Sequence, residues 1–195
     1  MTDFLLEAER YVEHYFQLFL PKTRCFHTFA ITRFVVETCE ELAAASDLDW
    51  SESEALFLAA WFHGTGFCAN DGDRVDNSIH VFNEFIQDQN LSSGFSDMVI
   101  RLIRSTSDCC GPSSHLEQQL KDARDRHLAS PLYAVMSQFH RQELSLCEGK
   151  HYSDAEWRAI NISRLRNHQF YTLYAADHWD NQKHINLSEL ENGLH

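Results

Sequence analysis

Glycine and proline are scarce in this chain, at seven and three among 195 residues. So few turn-formers cannot punctuate a many-stranded sheet, and no long stretch alternates apolar and polar residues as a half-buried strand does. The chain also lacks an apolar run of bilayer-spanning length and a basic-then-apolar opening segment, so neither a membrane span nor a signal segment is expected. Basic residues are outnumbered, 16 Lys and Arg against 29 Asp and Glu, for a formal net charge of -13. That balance disfavours general binding to nucleic-acid phosphates, although a local basic pocket can still hold a small anion. The six cysteines (25, 39, 68, 109, 110 and 147) include no CxxC pair. They read as reduced thiols of a cytoplasmic protein, with Cys109-Cys110 an ordinary loop pair. Gly-rich phosphate loops, a Gly-x-Ser-x-Gly elbow and a Cys–His nucleophile pattern are all missing.

What is present is helical periodicity. Apolar residues make up 44% of the chain, enough for one domain with a full core. They recur at helical spacing, as in Phe95, Met98, Val99, Leu102 and Ile103. Ser51 with Glu54, Ser114 with Glu117, and Ser153 with Glu156 have the spacing of capping boxes. The expected helices cover 3–19, 26–46, 52–63, 77–90, 95–106, 114–128, 131–148 and 154–178, with a further short one near the C-terminus. Residues 65–76, which include Asn70, Asp71, Gly72 and Asp73, are expected to form a surface loop. The fold expected is all-α, one helical domain over 1–195 with a C-terminal helical extension from about 150. Phe16, Phe19, Phe26, Phe29 and Phe34 read as core, while Arg101 and Arg104 are expected on the exposed side of their helix.

The candidate functional residues centre on Ala59-Ala60-Trp61-Phe62-His63-Gly64, an apolar helix ending in a histidine beside a Gly-containing turn. Upstream stands Phe26-His27-Thr28-Phe29-Ala30-Ile31-Thr32-Arg33-Phe34-Val35-Val36, and downstream Asp122-Ala123-Arg124-Asp125. Taken together these segments resemble the HD superfamily of metal-dependent phosphohydrolases, in a bacterial branch of about this length. The resemblance extends over nearly the whole chain, including Arg141-Gln142-Glu143, Trp157, His168, Tyr171-Thr172, Lys183 and Asn186-Leu187 as scaffold positions. It implies a helical bundle in which His27, His63 and Asp122 converge on a central cavity, with His27 at the position of a general acid. It also implies a divalent metal, and there the chain departs from the pattern. Ile31 stands where the first ligand His belongs, Gly64 where the Asp of His-Asp belongs, and Arg74-Val75 where a His-Glu pair belongs.

A divalent ion needs several N and O donors around it, with open positions for water and substrate. Of the four groups implied, His63 and Asp122 remain, a vestigial pair insufficient for a metal without recruits; His80 is the best candidate recruit among the twelve histidines. A buried Asp122 would then need another cation, and Arg74 is the candidate surrogate, unless it sits solvated on its acidic loop. His140 and five other histidines (14, 115, 151, 178, 184) read as surface or core residues, and Trp157, Phe170, Tyr171 and Tyr174 as aromatics free to line a cavity mouth.

The expected function follows from those losses. The chain reads as a catalytically impaired HD-like domain acting as a ligand-binding or protein-interaction module. Its ligand residues would be His27, His63, Arg74 and Asp122, and its ligand a small anion or nucleotide. No cofactor is expected on this reading. The alternative is an active metal-dependent phosphohydrolase, acting on a nucleotide or phosphoester through a rearranged metal site. A third reading, metal-free acid–base chemistry by His27, His63 and Asp122, stays open.

Overall fold

The structure, a computed structural model, describes residues 3–69, 72–107 and 111–193. Among the described residues there are nine α-helices and no strand. They are α1 (Asp3–Phe19), α2 (Phe29–Ala44), α3 (Trp50–Phe62), α4 (Arg74–Ile86), α5 (Ser93–Ser105), α6 (His115–Asp125), α7 (Tyr133–Glu148), α8 (Asp154–Asn167) and α9 (Leu173–Glu191). Single 3-10 turns follow α3, at Thr65–Cys68, and α6, at Arg126–Ala129. None of the described helices is long and apolar enough to cross a membrane.

The bundle is built around α3. From Ala55 onward this helix is apolar on all sides, and Leu56, Leu58, Trp61 and Phe62 are almost fully buried. Each such side chain contributes about 2–3 kcal/mol of transfer free energy. Its neighbours α1, α2, α4, α5 and α6 surround it, each presenting one apolar stripe, as Leu5, Ala8, Val12 and Phe16 do on α1. A smaller core, made of Leu128, Tyr133, Leu165 and Leu190, lies among α7, α8 and the end of α9. α9 reaches both, since Ala175 and Trp179 near its start belong to the main core.

Several expected elements moved. The long helix expected over 154–178 is two helices, because the chain breaks at His168 and restarts on Thr172, whose side chain accepts the Ala175 N–H. The short C-terminal helix is instead the 19-residue α9. The capping box of α3 is Asp49 with Glu52 rather than Ser51 with Glu54. Ser114 caps α6 as expected, but the Glu117 carboxylate accepts from Ser113. Only Ser153 with Glu156 forms the full reciprocal box anticipated.

The stretch 65–76 is not a surface loop throughout. Thr65, Gly66 and Cys68 are buried, and α4 begins at Arg74 on an Asp73 cap that accepts from Val75 and Asp76. Asn70, Asp71 and Cys109-Cys110 lie outside the described residues. Phe16 and Phe26 are core residues and Arg101 and Arg104 are exposed, as expected, whereas Phe19 at the end of α1 is solvent-exposed.

Candidate functional site

A cavity of about 300 Å³ opens where the N-terminal side of α2, the C-terminal ends of α3 and α6, and helices α7 and α8 meet. His27, His63 and Arg74 all line it, together with Ile31. Asp122 does not. Its side chain is 0% exposed. It accepts from the backbone N–H groups of Tyr171 (2.9 Å) and Thr172 (2.8 Å) and from the Thr172 hydroxyl (2.8 Å). Burial pushes its carboxyl pKa up, against those three donors, which favour the charged form. Asp122 therefore ties α6 to the start of α9, and the expected convergence of His27, His63 and Asp122 holds only for the two histidines.

The surrogate pair is also absent. Arg74 Nη2 bonds Glu148 Oε1 at 3.0 Å, with 45% of the arginine side chain exposed, and the guanidinium lies 4.7 Å from the centroid of the Phe67 ring. Asp122 satisfies its need through N–H and O–H groups that sequence spacing could not bring to it. His80 sits on the outer face of α4, 73% exposed beside Glu84, and is no recruit to the cavity. Trp157 and Phe170 are buried and do not line this cavity, and Tyr171 and Tyr174 border a separate depression beside α2 and α6.

His27, His63 and His127 are each held by Nδ1. His27 lies just before the Thr28 cap of α2, and its Nδ1 meets Glu143 Oε1 at 2.5 Å. Glu143 Oε2 accepts the backbone N–H groups of Phe26 (2.9 Å) and His27 (3.0 Å), while Arg24 contacts Oε1 at 3.3 Å. Burial acts to raise the Glu143 pKa, but the His27 bond and these N–H groups outweigh it and hold the carboxyl at about 2. The His27 pKa is lowered by burial, against the pull of Glu143. That shift works against the protonated form a general acid needs at neutral pH.

His63 caps α3, and its Nδ1 lies 2.6 Å from the Ala60 carbonyl. A carbonyl can only accept, so Nδ1 carries the proton and Nε2 presents a lone pair. Burial lowers the His63 pKa to about 4. His127, in the turn after α6, makes the same arrangement with the Arg124 carbonyl at 3.0 Å, and burial takes its pKa to about 3. His140 on α7 completes the set, its pKa lowered by burial to about 4. All four imidazoles are favoured in the neutral form.

The turn after His63 is fixed by a close approach of α4. Ser78 Oγ accepts from the Gly66 N–H and donates to the His63 carbonyl, both at 2.9 Å. A Cβ on Gly66 would lie 1.9 Å from the Arg74 carbonyl oxygen, so only glycine fits there. At Gly64, a Cβ would come within 2.6 Å of the buried Thr32 Oγ1. A side chain at the expected Asp position would therefore have to displace the Thr32 hydroxyl.

Arg124, Asp125 and Arg164 were not anticipated as site residues, and they set the cavity's charge. Arg124 bonds its neighbour Asp125 through Nε (3.3 Å) and Nη2 (3.1 Å), and Nη1 reaches the Thr106 carbonyl. Burial raises the Asp125 pKa, but Arg124 beside it brings the net shift downward. Arg164 on α8 has no carboxylate within ion-pair distance among the described residues. The only sequence signal for Arg124 and Asp125 was their place beside Asp122; nothing marked Arg164 or His127.

The residues do not fit a divalent metal. Ile31 offers the cavity no lone pair, Gly64 carries no side chain, and Asp122 is engaged elsewhere. Among the described residues no group of three or more His, Cys, Asp or Glu side chains is placed to hold a metal ion. No family model, curated protein or solved structure matches this chain.

Proposed function

We propose that this chain is an HD-superfamily-like domain, of a bacterial phosphohydrolase-like branch, that has lost its metal chemistry and binds a small anion in its central cavity. The observation that carries the reading is the joint lining by His27, His63, Arg74, Arg124 and Arg164 in a protein that is strongly acidic overall. Glu148 and Asp125 offset Arg74 and Arg124, which leaves the charge of Arg164 at the cavity to repel a dication and attract an anion. Neutral imidazoles then supply hydrogen-bond acceptors rather than charge. The four free cysteines among the described residues, Cys25, Cys39, Cys68 and Cys147, suit a reducing, cytoplasmic setting.

A second reading, an active phosphohydrolase with a rearranged metal site, draws on one observation. His27, His63 and His127 each have Nδ1 held by an acceptor, the orientation that metal-ligating histidines use. The two readings separate in one experiment on purified protein. Metal analysis is paired with calorimetric titration of acetate and phosphate at constant ionic strength. The anion-binding reading expects saturable binding of at least one of them, lost in Arg164→Gln, and no stoichiometric metal. A stoichiometric transition metal retained through purification would instead establish the second reading.

A further inference from the structure

Two cavity groups lack the partners that their chemistry demands. His127 is only 7% exposed, its Nδ1 is taken by the Arg124 carbonyl, and its Nε2 is buried without a hydrogen-bond partner. With the proton on Nδ1, that Nε2 is an acceptor and calls for an N–H or O–H donor. Arg164 is the complementary case, a cation lining the same cavity with no carboxylate in reach among the described residues. Both line the same cavity, together with His140. His63 lines the same cavity with its Nδ1 likewise held by a carbonyl, so its Nε2 is a second acceptor of the same kind.

Charge and shape narrow the occupant. Arg24 is matched by Glu143, Arg74 by Glu148 and Arg124 by Asp125. One unmatched positive charge remains, on Arg164, and it suits a monoanion better than a dianion. Aromatic surface for stacking a base is already occupied. His27 lies flat on Phe67, with centroids 3.6 Å apart, and both Arg24 and Arg74 sit over that ring. Phe26 is surrounded by His27, His127 and His140, with centroids 4.8, 5.5 and 4.9 Å away. A volume of about 300 Å³ has room for a ligand no larger than about ten water molecules.

Resting on the anion-binding reading above, we propose that the ligand is a small monocarboxylate bearing a hydroxyl group. Its carboxylate is held by Arg164 and its O–H is given to His127 Nε2. Arg164 offers a planar fork that takes a carboxylate through two parallel N–H bonds. A site built to receive a ligand hydroxyl rejects the analogue lacking it, because its own acceptor is then left unpaired.

The test compares lactate and 3-hydroxypropionate with propionate, which differs only by the missing hydroxyl, with phosphate as a further probe. Calorimetry on the intact protein is expected to show one of the hydroxy acids binding at least ten-fold tighter than propionate, and tighter than phosphate. Arg164→Gln should abolish binding of all the carboxylates. His127→Phe keeps the ring's bulk against Phe26 and should reduce the hydroxyl preference to less than two-fold while propionate still binds. Should His127→Phe fail to fold, imidazole nitrogen resonances of the wild type serve instead, and the His127 Nε2 signal should move with the hydroxy acid but not with propionate. Equal affinity for propionate and both hydroxy acids, or preference for phosphate, overturns this inference and leaves the anion-binding reading standing. Failure of every anion to bind overturns both.

Discussion

At the scale of single residues, the outcome turns on which donors reach Asp122. Three N–H and O–H groups from Tyr171 and Thr172 satisfy it, and Arg74 lies with Glu148 at the surface. Asp122→Ala should therefore destabilise the protein by about 3 kcal/mol, because two backbone N–H groups and a hydroxyl lose their acceptor. Arg74→Ala should cost under about 1 kcal/mol, as expected for a half-exposed ion pair. Urea unfolding of both variants checks this, and a larger loss from the Arg74 change would refute the assignment of roles. Gly64 makes a second residue-scale case. Gly64→Ala places a Cβ against Thr32 Oγ1 and should cost about 1–3 kcal/mol through overpacking. Combined with Thr32→Ala, which removes the obstructing hydroxyl, that cost should largely disappear. Additive losses in the double variant would mean that the Thr32 hydroxyl is not what excludes a side chain at 64.

At the scale of elements, the break between α8 and α9 has the most consequence. The residues from His168 to Thr172 interrupt what would otherwise be a continuous helical pattern. The interruption is stabilised by Asp122 from another helix and by Thr172, which donates to that carboxylate while accepting the Ala175 N–H. Thr172→Ala removes both bonds, and a loss of about 2 kcal/mol is expected, of which a cap alone accounts for about 1. Thr172→Ser retains the hydroxyl and should recover most of it. If Thr172→Ser is as unstable as Thr172→Ala, the methyl packing rather than the hydroxyl holds the break. The sequence contained no signal for this junction, since His168 to Thr172 include neither Gly nor Pro. By contrast, α1 was legible end to end, because its apolar stripe is local and ends before Pro21.

At the scale of the whole molecule, four half-buried or buried histidines tie the fold to pH. Burial lowers the pKa of His63, His140 and His168 to about 4 and of His127 to about 3. The unfolded chain takes up these protons near pH 6.5, whereas the folded state refuses them. Stability from these groups is thus complete above about pH 6.5 and is lost as pH falls towards 4. Each contributes at most about 1.4 kcal/mol per pH unit in that window. All four act in the same direction, so the dependence of stability on pH is steep in that window. Glu143, held at about 2, adds a further loss below its unfolded pKa, in the same direction. Unfolding midpoints in urea should fall steeply from pH 7 to pH 5, accompanied by proton uptake on unfolding. A flat midpoint over that range would show that these imidazoles protonate in the folded protein without cost.

The amino-acid sequence alone determined that the chain is helical and where most helices lie. Those properties follow from the period of apolar residues and from motifs only a few residues long. That His27 and His63 stand near one another, and that Ile31 and Gly64 fall at donor positions, was implied only by the resemblance of short motifs to a known family. Only the tertiary structure decided what the remaining polar groups do. It withdrew Asp122 into the joint with α9, turned Arg74 to Glu148, buried Glu143 behind His27, and brought His127 and Arg164 into one cavity. The residues so brought together are separated by between 37 and 116 positions along the chain. Such pairings depend on how helices cross rather than on the spacing within any one of them.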